Sequence, residues 1–197
     1  MSAPSTFPDA DKSALRTAAI ERRAALSVEQ RAAAAIAIAA RGLPIDIEPG
    51  AIVSGYWPIR AELDPLPLMR QLEAQGAQLA LPVIMGRDQP LVFRAWNADA
   101  QLLRGQFGIM EPSPQSAAVL PDIVLVPLAA FDRLGHRIGY GAGHYDRTFE
   151  QLRATKSITA IGIAFAVQEI DAVPAEPHDV QLDYVLTEAR TLDFRSL

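Results

Sequence analysis

The stretch that decides the fold runs from Ile123 to Arg147 and reads IVLVPLAAFDRLGHRIGYGAGHYDR. Its first four residues form a short, mainly β-branched apolar run, which is typical of a buried strand. Four glycines follow within nine residues, and a helix can continue from Tyr145 to Arg153. A strand, a glycine-rich loop and a helix N-terminus together favour anion binding, because backbone N–H groups point outward and glycine lets a phosphate approach closely. The alternative is a long glycine-rich turn with ordinary charged residues.

The loop matches neither of the two familiar nucleotide-binding signatures. A P-loop closes with Gly-Lys-Ser/Thr, whereas here His144 follows Gly143. The dinucleotide fingerprint has the spacing G-x-G-x-x-G at the first strand of its fold. Here the spacing is G-x-G-x-G, starting at Gly139, and the unit lies late in the chain. The sequence therefore predicts a backbone phosphate cradle of another type.

Charged residues flank this loop on both sides. Arg137 precedes it and suits the stabilisation of charge on a transferring phosphoryl group, and Asp146 follows it and suits the magnesium that accompanies ATP. Asp146 is equally suited to a helix cap or first helical turn. Asp183 is a second acidic candidate, because it stands at the entrance of an apolar segment, 184–186, that is predicted to form a strand.

Two further candidates lie elsewhere in the chain. Glu62 is a lone carboxylate after a predicted strand and a proline, and it suits the donor edge of an amino-pteridine or a guanidinium-like group. His178 beside Asp179 could indicate acid–base chemistry or zinc. The three histidines are scattered, without a close i,i+4 pair, which argues against a structural zinc site and favours a solvated loop.

Composition bounds the class of protein. A chain of 197 residues with half of them apolar is large enough for one domain with a real core. The net charge of −5 argues against a general nucleic-acid binder. The absence of cysteine excludes disulfides, thiolate metal sites and cysteine nucleophiles, and no stretch approaches the roughly 20 apolar residues that cross a membrane. We expect a cytoplasmic protein with neither a nucleic-acid nor a membrane partner.

Strand and helix patterns alternate along the chain. Residues 1–10 are expected to form a disordered lead-in, followed by a single domain over 11–197. Asp11 is the expected N-cap of a first helix that extends through Arg23, and Ser27 with Gln30 forms a capping box for a second helix to Arg41. Further helices are predicted at 66–75 and 145–153, strands at 51–57, 78–83, 91–96, 123–126, 158–164 and 184–186, and a loop-rich segment at 103–112. The fold class is α/β, a sandwich with a mostly parallel central sheet.

A basic pair stands near the start of the first helix. Lys12 and Arg16 are spaced i,i+4 and therefore point from the same face. Positive charge there is mildly unfavourable against the helix dipole, which suggests an anionic ligand. A solvated basic face is the alternative.

In combination, these motifs resemble the 5-formyltetrahydrofolate cyclo-ligase family, also called 5,10-methenyltetrahydrofolate synthetases. The resemblance covers about residues 11–188, and its most specific part is the string from Phe131-Asp132 through Gly135 and Arg137 to Tyr145-Asp146. The other parts are Lys12-x-x-x-Arg16, Tyr56-Trp57-Pro58 with Glu62, the run from Pro127 to Asp132, and His178-Asp179 with Asp183. One departure is His144, where many members carry Tyr or Phe.

The resemblance implies a three-layer α/β/α sandwich, which agrees with the alternation of strands and helices. It also implies an enzyme that uses ATP and Mg²⁺ to convert 5-formyltetrahydrofolate to 5,10-methenyltetrahydrofolate, with release of ADP and phosphate. Its implied catalytic residues are Lys12, Arg16 and Arg137. Its implied ATP-binding residues are Lys12, Ser13, Ala14, Leu15, Arg16, Arg137, Ile138, Gly139, Tyr140, Gly141, Ala142, Gly143, His144 and Tyr145. The reduced folate would contact Trp57, Glu62, Tyr140, Gly141, Ala142, Gly143 and His144, and the metal would bind Asp146 and Asp183. We expect a monomer or a weak homodimer.

Other functions remain compatible with the residues alone. A non-catalytic nucleotide- or folate-binding regulator would keep the site without turnover. A sugar-phosphate isomerase or CoA-transferase could use a similar α/β scaffold, because a fold does not fix a function. Whether Glu62 or His144 transfers a proton stays open.

Overall fold

The computed structural model describes residues 9–105, 108–176 and 179–196, the first three as backbone only. Its helices are α1 (Asp9–Ala24), α2 (Val28–Arg41), α3 (Leu66–Ala74) and α4 (His144–Arg153). Its strands are β1 (Ile52–Ser54), β2 (Gln78–Val83), β3 (Val92–Trp96), β4 (Leu103–Arg104), β5 (Met110–Glu111), β6 (Ala118–Val119), β7 (Ile123–Pro127), β8 (Ala130–Phe131), β9 (Arg137–Ile138), β10 (Thr159–Ile163), β11 (Tyr184–Leu186) and β12 (Thr191–Asp193).

Eight of these strands form one twisted sheet in the order β12-β11-β10-β7-β1-β2-β3-β6. Its five central strands, β11, β10, β7, β1 and β2, run parallel to one another. The flanking strands β12, β3 and β6 pair antiparallel. The predicted fold class, an α/β fold with a mostly parallel sheet, is confirmed.

Strand β7 shows how the sheet is covered on both faces. Ile123 and Leu125 contribute to the apolar cluster that contains α2 and α3 residues. Val124 and Val126 contribute to the opposite cluster, which contains Phe149 of α4. Successive side chains of a strand point to opposite faces, so a continuous apolar run is the pattern that a strand covered on both sides requires.

Helix α1 lies over the short β8–β9 hairpin rather than over the main sheet. Ala19 of α1 is fully buried in a third cluster with Ala129, Ala130 and Ile138. Alanine at these contacts permits close approach of the helix to the hairpin. This packing sets α1 beside the glycine-rich loop, which follows β9.

The sequence predicted most elements closely and missed a few. The capping box of α2 is present, and Gly42 ends that helix with a φ of 73°. The prediction that Asp11 caps the first helix was wrong, because α1 begins at Asp9. Residues 1–8 of the expected lead-in lie outside the described residues. The segment expected to be loop-rich contains the β4–β5 pair, and β12 was not predicted. Strand β1 ends at Ser54, earlier than expected.

Within the described ranges, the helices are too short or too polar to cross a bilayer.

Candidate active site

A cavity of about 820 Å³ opens at the carboxyl ends of the parallel strands. Its walls include Pro127 at the end of β7, Tyr56 and Trp57 after β1, and Ile84 after β2. The glycine-rich loop and the start of α4, residues 139–147, form another side. In open α/β sheets this edge is where ligands bind.

The glycine-rich loop provides hydrogen-bond donors to this cavity. Gly141 has a φ of 93° and Gly143 a φ of 61°, a left-handed conformation that glycine adopts without strain. Gly143 is the N-cap of α4 and provides no side-chain cap. Among the described residues, the backbone N–H groups of residues 140–143 have no acceptor. Free N–H groups at a helix N-terminus form a binding site for an anion.

Two cations from α1 reach the same loop. Arg16 Nε donates to the carbonyl oxygen of Gly139 at 2.7 Å, and its guanidinium lies 3.8 Å from where a Cβ on Gly141 would stand. Lys12 Nζ donates to the Asp179 carboxylate at 2.6 Å. Both side chains line the cavity, which agrees with the shared helix face that their i,i+4 spacing predicted.

Arg137 and Asp146 form an ion pair at the base of the loop. Arg137 is 8% exposed, and its Nη2 donates to Asp146 Oδ1 at 2.6 Å. Its Nη1 donates to the Val180 carbonyl oxygen, and its guanidinium carbon lies 5.4 Å from the ring centre of Phe149. Asp146 is in the first turn of α4, where the helix dipole favours a negative charge. This carboxylate therefore has both a structural partner and a position facing the cavity.

Glu62 and Tyr140 form a second polar group on the cavity wall. Glu62 is 8% exposed, accepts a hydrogen bond from the Ile59 backbone N–H at 2.9 Å and bonds to the Tyr140 hydroxyl. Burial raises the pKa of Glu62, and the bonds from Tyr140 and Ile59 and the charges of Arg23 and Arg60 oppose that rise. Burial and the Glu62 charge raise the pKa of Tyr140, so the phenol stays protonated and donates to the carboxylate.

The structure does not bring the two predicted metal carboxylates together. Asp183 lies at the amino end of β11, where it accepts from the Ala160 backbone N–H at 2.7 Å and from Arg153 at 3.4 Å. It does not line the cavity, because parallel strands have their amino ends at the edge opposite to the carboxyl ends. No group of three acidic or histidine side chains in the described ranges is arranged to hold a metal.

Some predicted ATP-binding residues lie beside the cavity rather than in its lining. Leu15 and Ile138 pack in the cluster under α1, and Ser13 and Ala14 are exposed. The remaining predicted residues of that set, and Trp57 with Glu62, line the cavity. His178 lies outside the described residues.

Sequence reasoning missed Arg147 as a cavity residue. Its Nη2 donates to the carbonyl oxygens of Ala142 and of Arg87, the latter at 3.3 Å, so it links the glycine-rich loop to the β2–β3 turn. Its position directly after Asp146 in the motif was the available signal. His144 provides a parallel link, since its Nδ1 lies 2.9 Å from the Gln89 carbonyl oxygen.

A family model described as the 5-formyltetrahydrofolate cyclo-ligase family matches residues 8–188. The chain belongs to this family. It is accordingly an enzyme, a ligase of folate metabolism.

Individual relatives agree with that assignment. A 5-formyltetrahydrofolate cyclo-ligase of Mycolicibacterium smegmatis is 35% identical over 189 residues, which cover 91% of this chain and 94% of the relative. An NMR structure of the Aquifex aeolicus 5,10-methenyltetrahydrofolate synthetase has a TM-score of 0.77 and 29% identity, covering 93% of each chain. A Mycoplasma pneumoniae 5,10-methenyltetrahydrofolate synthetase has a TM-score of 0.70 and 26% identity, covering 90% of this chain and 99% of that one.

Proposed function

We propose that this chain converts 5-formyltetrahydrofolate to 5,10-methenyltetrahydrofolate with ATP and Mg²⁺, and that residues 11–197 act as one domain in doing so. The observation that carries the proposal is a single cavity with a phosphate-type cradle on one side and a buried carboxylate–phenol pair on the other. Transfer of a phosphoryl group from a nucleotide to a polar heterocycle requires the nucleotide-binding surface and the heterocycle-binding surface to face each other.

The cradle side fits a nucleotide phosphate chain. The free N–H groups of residues 140–143 and the uncapped start of α4 provide neutral donors, and Lys12, Arg16 and Arg137 provide positive charge. Ser13, Ala14, Leu15 and Ile138 serve this site by placing those cations. Preorganised donors of this kind stabilise the charge that develops during phosphoryl transfer.

Asp146 fits a magnesium ion that accompanies ATP. Mg²⁺ in such sites is often held by only one or two carboxylates together with phosphate oxygens and water, so a single cavity carboxylate is enough. The ion would add positive charge beside the phosphates. We assign Asp183 a structural role at the opposite edge of the sheet, because its carboxylate accepts a hydrogen bond from the Ala160 N–H there.

The folate side fits the donor edge of a reduced pterin. The Glu62 carboxylate can accept from a pterin amino group and ring N–H, while Tyr140 and the half-buried Trp57 form the adjoining wall. A carboxylate that is buried and already oriented by two donors loses little freedom on binding.

The reaction needs alignment more than a covalent nucleophile. A formamide oxygen is a poor leaving group; the ATP γ-phosphoryl group converts it into a good one, after which the folate N10 closes the five-membered ring and phosphate departs. The chain's own residues hold the two substrates in line, balance charge through Arg16 and Arg137, and fix the pterin through Glu62.

The direct test is the appearance of methenyl absorbance when purified protein is mixed with 5-formyltetrahydrofolate, ATP and Mg²⁺. We expect product in an amount matched by the ADP released, and none when ATP is omitted. Folded protein that binds 5-formyltetrahydrofolate and forms no product would instead support the non-catalytic regulator.

A further inference from the structure

We propose that Arg23 is a positioning residue of this active site and acts on Glu62 through the Tyr140 hydroxyl, although Arg23 does not itself line the cavity. The inference rests on the proposed role of Glu62 in holding the folate. Arg23 has no part in the phosphate and metal binding proposed above.

The burial of Arg23 is the first observation. Its residue is 2% exposed, and its Nε has no partner among the described residues. Burying a guanidinium with an unsatisfied N–H costs stability, and an apolar side chain of similar size would often be as stable or more so. The position therefore carries a cost that packing alone does not explain.

The contact with Tyr140 is the second observation. Arg23 Nη1 donates to the Tyr140 hydroxyl oxygen at 2.5 Å, and the guanidinium carbon lies 5.7 Å from the centre of the Tyr140 ring. Arginine has donors only, so the phenol oxygen must accept this bond. The single phenol proton is then left for Glu62, which is the acceptor on its other side. Arg23 thereby fixes the direction in which Tyr140 donates.

The surroundings of Glu62 make Arg23 distinctive. The groups that interact with this carboxylate are the phenols of Tyr56, Tyr140 and Tyr145 and the cations of Arg23 and Arg60. Burial raises the pKa of each of the three phenols, so they are neutral at working pH. Arg60 is exposed, so solvent screens its charge, whereas Arg23 is buried. Arg23 is thus the buried cation that favours the ionised form of Glu62 and opposes the effect of burial on its pKa.

The same helix holds the loop at two adjacent residues. Arg16 bonds the Gly139 carbonyl oxygen and Arg23 bonds the Tyr140 hydroxyl, and the two arginines are spaced i,i+7 on one face of α1. A change at Arg23 should therefore affect the folate side first, because the nucleotide side keeps its Arg16 contact.

The test compares R23M, R23K, Y140F and the R23M/Y140F double variant with the control R22M. Arg22 is the exposed neighbour in α1 and bonds the Val167 carbonyl oxygen, so it controls for loss of an arginine there. For each variant we would measure KM for both substrates, kcat, the pH profile of kcat/KM, the Kd for 5-formyltetrahydrofolate and the melting temperature.

We expect R23M to raise KM and Kd for the folate about tenfold, with a smaller change in KM for ATP. The acid limb of its kcat/KM profile should move to higher pH, because Glu62 loses its cation. Y140F should act in the same direction, the double variant should be less impaired than the sum of the single effects, and R23K should recover part of the loss. R22M should match the wild type.

A lowered melting temperature in R23M with an unmoved acid limb and unchanged folate KM would overturn the proposal. If R23M does not fold, R23K and Y140F decide it: an unchanged acid limb and folate affinity in both overturns it. If the wild type does not turn over, the proposed function fails, and the Kd values of the same variants still test the positioning role.

Discussion

Arg137 Nη2 and Asp146 Oδ1 meet at 2.6 Å, and this contact ties the strand before the glycine-rich loop to the helix after it. The side chain of Arg137 is 6% exposed and that of Asp146 is 25% exposed, so the pair is shielded on one side and open to the cavity on the other. The residues proposed to meet the phosphates and the metal are therefore also the residues that close the loop. Loss of either should affect both stability and turnover.

The first prediction concerns R137M. Removing the guanidinium leaves Asp146 without its cation and the Val180 carbonyl oxygen without its donor, which should cost about 2–3 kcal/mol of unfolding free energy. Turnover should fall by about 100-fold or more, because a preorganised charge is lost at the transferring group. Urea unfolding and kcat under saturating substrates check the two effects.

R137K separates those two roles. A single ammonium keeps the positive charge but cannot bond Asp146 and Val180 in the fixed fork of arginine. We expect it to recover more stability than turnover. If the activity of both variants simply follows the fraction of folded protein, Arg137 has only a structural role.

Local patterns were enough to predict the sheet and much of the cavity. The apolar run at β7 and the Ser27 capping box depend on neighbours in sequence, and the glycine spacing predicted the cradle. Such patterns do not show at which edge of the sheet a residue lies. Asp183 directly precedes a strand, but whether that end of the strand lies at the cavity edge or the opposite edge depends on the strand's direction in the sheet. Arg23 was missed because its burial depends on a contact with Tyr140, 117 positions away.

The second prediction concerns G141A. Alanine at a φ of 93° is strained, and its Cβ would stand 3.8 Å from the Arg16 guanidinium, where a phosphate would need to approach. We expect a loss of about 1 kcal/mol in unfolding free energy and a rise of about tenfold in KM for ATP. Steady-state kinetics with varied ATP and thermal unfolding measure these effects.

G76A is the matched control for that strain. Gly76 has a φ of 98°, has no heavy atom within 4 Å of its would-be Cβ, and lies outside the cavity lining. We expect G76A to lose about as much unfolding free energy as G141A and to keep the wild-type KM for ATP. Equal effects of the two variants on KM would contradict a phosphate-binding role for Gly141.

The third prediction concerns E62Q. The amide keeps the shape of the side chain but offers one acceptor oxygen instead of a carboxylate, so charge-assisted bonds to a pterin amino group and N–H are lost. We expect KM for 5-formyltetrahydrofolate to rise at least tenfold, which corresponds to about 1.4 kcal/mol, while KM for ATP changes little. An unchanged folate KM would remove Glu62 from the substrate site.

The fourth prediction is the pH dependence that Glu62 imposes on stability. Burial raises the pKa of this carboxyl above its ordinary value, so the folded state binds its proton more tightly than the unfolded state does. The contribution of Glu62 to the unfolding free energy should therefore fall as pH rises from the ordinary glutamate pKa through the raised folded value. The E62Q side chain does not titrate, so the unfolding free energy of the wild type minus that of E62Q should decrease as the pH rises above the ordinary glutamate pKa of about 4. A difference that grows with pH contradicts this.

The final prediction separates the two aspartates that the family resemblance links to magnesium. D146N removes the cavity carboxylate and should raise the Mg²⁺ concentration for half-maximal activity about tenfold, because one ligand charge is lost. D183N weakens the bond to the Ala160 N–H and should lower the melting temperature while leaving the Mg²⁺ requirement unchanged. Activity is titrated with Mg²⁺ at fixed ATP, and melting is followed without the ion. A raised Mg²⁺ requirement in D183N equal to that in D146N would mean that both carboxylates serve the metal. The sheet edge that holds Asp183 would then have to rearrange when substrates bind.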